Sequence, residues 1–330
     1  MKKATKIVLI IATALVVVGG AMSFGALAAV QFNFKALSTS SDLVNQSYVS
    51  ERGDYQSIKI NGLGENYSII RGAGEAVEVD YYSSDALEYT FNDEGDTLII
   101  EEKNHPRFMF FNFDTSFYDR NVVIKVPASF TGDIEVGGAN SNISVQGIEA
   151  RSLVVQTAGG DVSVEDMKLA GACSIDCTSG SVKFTSLSVH SLTVNGMSSD
   201  VAGKGILAED KVECAVASGY ISLRDAQANA AVLSAASGDI NVESLRSSSA
   251  IINTMSGSIT SSALAAEQIE MKAASGDIRA GVEGDQSEYR IVAKAVSGDV
   301  DVPLGNDNSP NSISLEATSG DINLGFSLRG

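Results

Sequence analysis

From Leu153 to Leu324 apolar and polar residues alternate in short runs that stop and restart at a near-constant interval. Leu153 and Val155, Cys173 and Ile175, Leu192 and Val194, Ile269 and Met271, and Ile313 and Leu315 are apolar pairs two residues apart. So are Val162 and Val164, Val182 and Phe184, Ile240 and Val242, and Ile322 and Leu324. Period-two alternation predicts strands with one buried face. A further inward position follows at Met167, Leu187, Ile206, Leu245 and Leu264. Each unit thus predicts two short strands around a turn, plus one more core residue.

The turn is a phrase that recurs nine times, from Gly159-Gly160-Asp161-Val162 through Ser237-Gly238-Asp239-Ile240 to Ser319-Gly320-Asp321-Ile322. Measured at its second position the steps are 20, 19, 20, 19, 19, 19, 22 and 22 residues. Glycine supplies backbone angles closed to other residues, serine beside it allows close stacking, and aspartate can bond turn amides. Ser199 replaces the glycine once, so that corner tolerates a side chain or differs in shape. Two strands cannot bury an apolar face alone, but coils stacked on coils can. The pattern predicts an all-β fold, a parallel β-solenoid of 19–22-residue coils, right-handed by the general crossover preference. Nine coils at ~4.8 Å spacing would make a rod about 40 Å long.

Four segments follow: residues 1–30, 31–54, 55–130 and 131–330. Lys2, Lys3 and Lys6 precede an uncharged, mostly apolar run, residues 7–30, long enough to cross a bilayer as one transmembrane helix. The basic flank places the remainder outside the cytoplasm. Ala26-Leu27-Ala28 is a small-x-small cleavage site, but the run is long for a signal peptide and favours an anchor. Residues 31–54 read as a polar linker. Residues 55–130 carry strand patterns at Tyr55 to Ile60, Tyr67 to Ile70, Val77 to Tyr82, Leu87 to Phe91, Thr97 to Glu101 and Val122 to Val126, off the repeat's beat. They are expected to start and cap the stack. Thr131-Gly132-Asp133-Ile134 and Ser141-Asn142-Ile143 read as degenerate early copies of the phrase. No C-terminal cap is visible, so the last strand closes the end or leaves a coil open to self-association.

The net charge of −18 argues against nucleic acid or anionic lipid as partner of the exported part. Cys173, Cys177 and Cys214 fall on the inward register as free thiols: the first two are ~13 Å apart along one strand, too far for a disulfide. No catalytic motif or metal module is present around His105 and His190. The chain is therefore expected not to be an enzyme; a carboxylate-driven glycosidase is the weaker alternative. No cofactor is expected. The aspartate column offers its unbroken run at Asp277, Asp299 and Asp321, which read first as turn residues and second as a Ca²⁺ ladder. Phe108, Phe110, Phe111 and Phe113 read first as a cluster folded over the first coil and second as an exposed patch for a partner or the membrane surface.

The Ser-Gly-Asp-Ile/Val phrase at this spacing resembles a bacterial β-strand-repeat family of unknown function that carries an adhesin label, with membrane-anchored members. The resemblance covers roughly residues 55–330 and implies a β-solenoid at the cell envelope, with no catalytic residues to transfer. The expected function is an extracytoplasmic binding or adhesion module facing cell-wall or surface polymer. The alternative is an accessory envelope protein, linked to stress response, that contacts a membrane protein.

Overall fold

In the computed structural model of the chain the described residues are Gly19, 43–85, 87–104 and 121–327. From residue 43 onward they are all-β apart from one 3-10 turn, Gln286–Glu288. The apolar run 7–30 lies outside the described residues except for Gly19. Among the described residues no helix is long and apolar enough to cross a membrane.

The alternation becomes a stack of two-stranded coils in which each residue sits above its repeat equivalent. Leu153 pairs with Ile134 below and Cys173 above. Val162 lies between Ile143 and Val182, and Ile240 between Ile221 and Ile259. All these pairings are parallel, which gives a β-solenoid-like architecture. Like residues therefore meet like, and the inward columns merge into one hydrophobic core running from Tyr55 to Leu324. Burying each Ile or Leu contributes about 2 kcal/mol, and that burial drives coil onto coil. The third inward column also closes, with Met167, Leu187, Ile206, Leu245 and Leu264 buried. Each of these follows a residue in the left-handed region: Asp166, Ser186, Gly205, Ser244 and Ala263.

The three cysteines are free and buried in this core. Burial pushes the thiols of Cys173 and Cys214 up to about 12. Native protein at pH 8 is therefore expected to take up no iodoacetamide in an hour, and denatured protein to take it up at all three sites. Mass spectrometry reads the difference, and rapid native labelling would show that the core opens.

Space does not follow sequence order at either end. Residues 311–327 slot between coil 268–283 and coil 289–301: Met271 pairs with Leu315, and Leu315 in turn with Ala293. The C-terminal strands are thus inside the stack, and the last exposed coil is 289–301. To leave that gap the chain must rise two strand spacings, about 10 Å, where other coils rise one. The two 22-residue steps supply the extra length, through the 3-10 turn Gln286–Glu288 and the connector 302–310. The other end repeats the device. Ser57–Asn61 lies between Thr97–Asn104 and Asp133–Gly138, and Asn66–Arg71 between Asn121–Val126 and Ile143–Gln146.

The region expected to be a cap, 55–130, therefore contributes regular coils as well. The cap proper is antiparallel: Leu87–Glu94 covers Thr97–Asn104, and Glu78–Ser83 covers Asn121–Val126. Val44–Val49, within the expected linker, adds a strand beside Glu78–Ser83. Thr131-Gly132-Asp133-Ile134 is not a corner copy, because Ile134 aligns with Leu153 at the start of a strand. Its Asp133 accepts from Arg151 and Ser152 instead. Ser141-Asn142-Ile143 is the true early corner, since Ile143 aligns with Val162.

Candidate functional site

The repeated corner builds two features on one edge of the stack. The first is a hydrogen-bonded column. In the Ser-Gly-Asp turn the aspartate reaches to the next coil and accepts from the amide at the equivalent position. Asp161 accepts from Ser181 N–H at 2.8 Å, Asp200 from Tyr220 at 3.1 Å and Asp239 from Ser258 at 2.8 Å. Asp277 accepts from Asp321 N–H, and Asp321 from Asp299 N–H, each at 2.9 Å. The spatial order is therefore Asp277, Asp321, Asp299. Bonded amides hold the carboxyls of Asp161 and Asp277 below the usual carboxylate range, because the charged form is the better acceptor. The second oxygen of Asp277 takes Arg279 at 2.7 Å. Among the described residues no group of three or more His, Cys, Asp or Glu side chains is placed to hold a metal.

At Ser199 the missing glycine is balanced nearby. Its side chain turns inward, is buried, and donates to Cys177 O at 2.8 Å. Gly196 makes the room, since a Cβ there would sit 2.8 Å from Ser199 Cβ.

The second feature is an open cleft of about 930 Å³ beside the corner. It arises from side-chain size. Along the cleft the residue just before the corner phrase is Thr178, Met197, Ala217, Ala236, Met255, Ala274 and Thr318 in stacking order. The outward position two residues earlier is Asp176, Asn195, Ala215, Ser234, Asn253, Lys272 and Glu316. Two adjacent coils are thus small at both positions, and the coils on either side carry methionine. Ala215, Ala217, Ser234 and Ala236 form a floor between Met197 and Met255, which are 63% and 65% exposed. Three spacings separate the methionines, about 14 Å. Asp176 and Asn195, hydrogen-bonded at 2.9 Å, make one end polar. Lys272 and Glu316 make the other end polar. The side-chain oxygen of Asn253, in the wall, is buried and meets no hydrogen-bond donor. Such a surface suits an apolar group carried on a polar chain.

The aspartates at 277, 299 and 321 lie on the corner column, away from the floor of this cleft. Phe108, Phe110, Phe111 and Phe113 lie outside the described residues. His190 is exposed beside Glu209 at 3.1 Å and does not line the cleft. The sequence pattern did not single out the cleft. Its signal was there: Ala or Ser at both outward pre-corner positions of two consecutive coils, bracketed by Met197 and Met255.

A continuous apolar column, Gly corners bonded coil to coil and an open cleft spread across coils define an all-β, solenoid-like scaffold. The chain belongs to the Toastrack DUF4097 family, whose model matches residues 55–202 and 185–329. No curated protein matches the chain. Three solved structures are similar. A protein proposed to act in cell adhesion from Clostridium sporogenes shares 12% identity, covering 87% of this chain and 100% of its own, at a TM-score of 0.27. A protein proposed to bind lipid from Parabacteroides distasonis shares 17%, covering 87% and 97%, at 0.37. A proposed adhesin from Bacteroides fragilis shares 14%, covering 86% and 98%, at 0.30.

Proposed function

We propose that this chain is a non-catalytic binding module of the bacterial cell envelope, anchored by residues 1–30, that holds wall or surface polymer along its corner edge. The observation that carries this reading is the methionine-flanked cleft on a rigid, multi-coil edge. A floor of Ala and Ser lets an extended ligand approach the backbone closely, and methionine adapts its shape to varied apolar groups. An edge that runs on past the cleft favours weak contacts summed along a polymer.

The test is saturable binding of the labelled chain to intact cells and to purified cell wall. Ala236→Arg, which fills the floor, is expected to weaken binding at least about tenfold, the scale of one anchoring contact. Binding that ignores Ala236→Arg would remove the cleft from the reading, and no binding under any condition would remove adhesion itself. Parallel samples with Ca²⁺ and with chelator test the cation expectation at Asp277, Asp321 and Asp299.

A second reading is an accessory protein that meets a membrane partner through Phe108 to Phe113. It is favoured by the aromatic run itself, Phe108, Phe110, Phe111 and Phe113, in a chain whose repeats carry few aromatics. Phe110→Ser with Phe111→Ser would then abolish membrane-protein co-purification and leave polymer binding intact.

A further inference from the structure

The two ends of the stack are finished differently. At the N-terminal end both outer strands are covered by antiparallel neighbours. At the other end Tyr289–Ser297 pairs only with Asn311–Ser319, and Val300–Asp301 only with Ile322–Ser327. The connector reaches back over the start of this coil alone, where Asn306 N–H donates to Tyr289 O at 2.7 Å. Among the described residues no strand lies beside the remaining outer edge of the coil. Its core-directed residues Ile291, Ala293, Ala295 and Val302 are only partly buried, unlike their equivalents elsewhere in the stack. Val292 and Val300 are exposed, Val296 is 70% exposed and Leu304 90%. An uncovered edge with aliphatic residues along it is a template for another strand pair.

Charge identifies the occupant. Outward residues of Tyr289–Ser297 include Arg290 and Lys294, whereas the other face carries Asp299 and Asp301. A second copy, turned about a two-fold axis parallel to the strands, sets the basic strand of each against the acidic strand of the other, antiparallel. Lys294 of one copy then lies beside Asp301 of the second. The other two-fold setting, with like strands paired, would oppose Arg290 and Lys294 and repel. The coil also presents two strands at the spacing of the sheets it must meet, which an identical coil matches on both faces.

We infer that two copies of this chain join end to end through the coil 289–304 and that the covered N-terminal ends close the assembly at two. Pairing would place two clefts in one particle, which goes beyond the binding reading and does not depend on it.

The test uses the full chain in membranes, with no ligand or cell wall present. Lys294→Cys with Asp301→Cys, after mild oxidation, is expected to give a covalent dimer on a non-reducing gel. Within one copy the two positions lie on opposite faces, and the native cysteines are buried. Either single cysteine variant should stay monomeric. Independently, Lys294→Glu should weaken association in detergent at least about tenfold, and adding Asp301→Lys should restore it. A chain that is monomeric at every concentration, or that lacks the double-cysteine cross-link, would overturn the inference. A ladder of higher species would overturn closure at two.

Discussion

Gly238→Ala is expected to destabilise the stack by about 4 kcal/mol, the scale of a buried backbone clash added to a forbidden backbone angle. Gly238 has φ 143°, in the middle of the array, and its added Cβ would lie 1.9 Å from Gly219 O. That oxygen belongs to the neighbouring corner, so the clash cannot be relieved by a side-chain rotation. Gly238 N–H also donates to Ser256 O at 2.8 Å, and displacing the corner breaks this link between coils. Gly325→Ala is the control: nothing lies within 4 Å of its added Cβ, and the change should stay within about 0.5 kcal/mol. Thermal unfolding followed by circular dichroism separates the two. A Gly238→Ala protein as stable as the control would mean that the corner is not closely stacked.

Glu102→Ala should cost about 3 kcal/mol, the penalty for leaving buried donors unmatched. Glu102 sits on Thr97–Asn104 and is only 5% exposed. One of its oxygens accepts from Tyr67 O–H at 2.6 Å, Leu63 N–H at 2.8 Å and Gly64 N–H at 3.3 Å. Removing it strands a buried phenol and two amides of the turn 62–65. Burial, with Glu102 beside it, raises the Tyr67 hydroxyl far above an ordinary phenol, so Tyr67 remains a donor at any working pH. Glu102→Gln keeps an acceptor and should cost about 1 kcal/mol. Urea unfolding of both variants gives the comparison. Equal losses would show that the charge, rather than the acceptor, holds the turn.

Both sites show where local pattern was enough and where it was not. Gly238 could be picked out because its phrase recurs in phase and only glycine serves the angle. Glu102 could not, because an acidic residue in a strand reads as solvent-facing. Its register continues that of Leu98 and Ile100, so the strand points it inward, and the path of 62–65 across the adjacent coil supplies the donors that satisfy it there. The corner aspartates accept hydrogen bonds, but the amides that donate to them lie one coil away. The non-glycine corner at Asp166, Ser186, Asp225, Ser244 and Ala263 left no compositional mark, because residue type there does not betray a positive φ. The cleft escaped because it depends on the absence of bulk in two consecutive coils, whereas periodicity reads only the presence of apolar residues.

The sequence by itself determined the all-β stack, the inward columns, the buried thiols and the corner phrase. Those follow from period-two burial and from the backbone angle glycine alone supplies, both of which are local. Tertiary structure decided which coil lies beside which. Alternation says which face of a strand is buried, but every coil presents nearly the same apolar edge, so it cannot rank neighbours. The order 277, 321, 299 along the aspartate column, the buried C-terminal coil and the open edge at 289–304 are therefore properties of the assembled stack. They are set by how far the chain must rise to reach its next place.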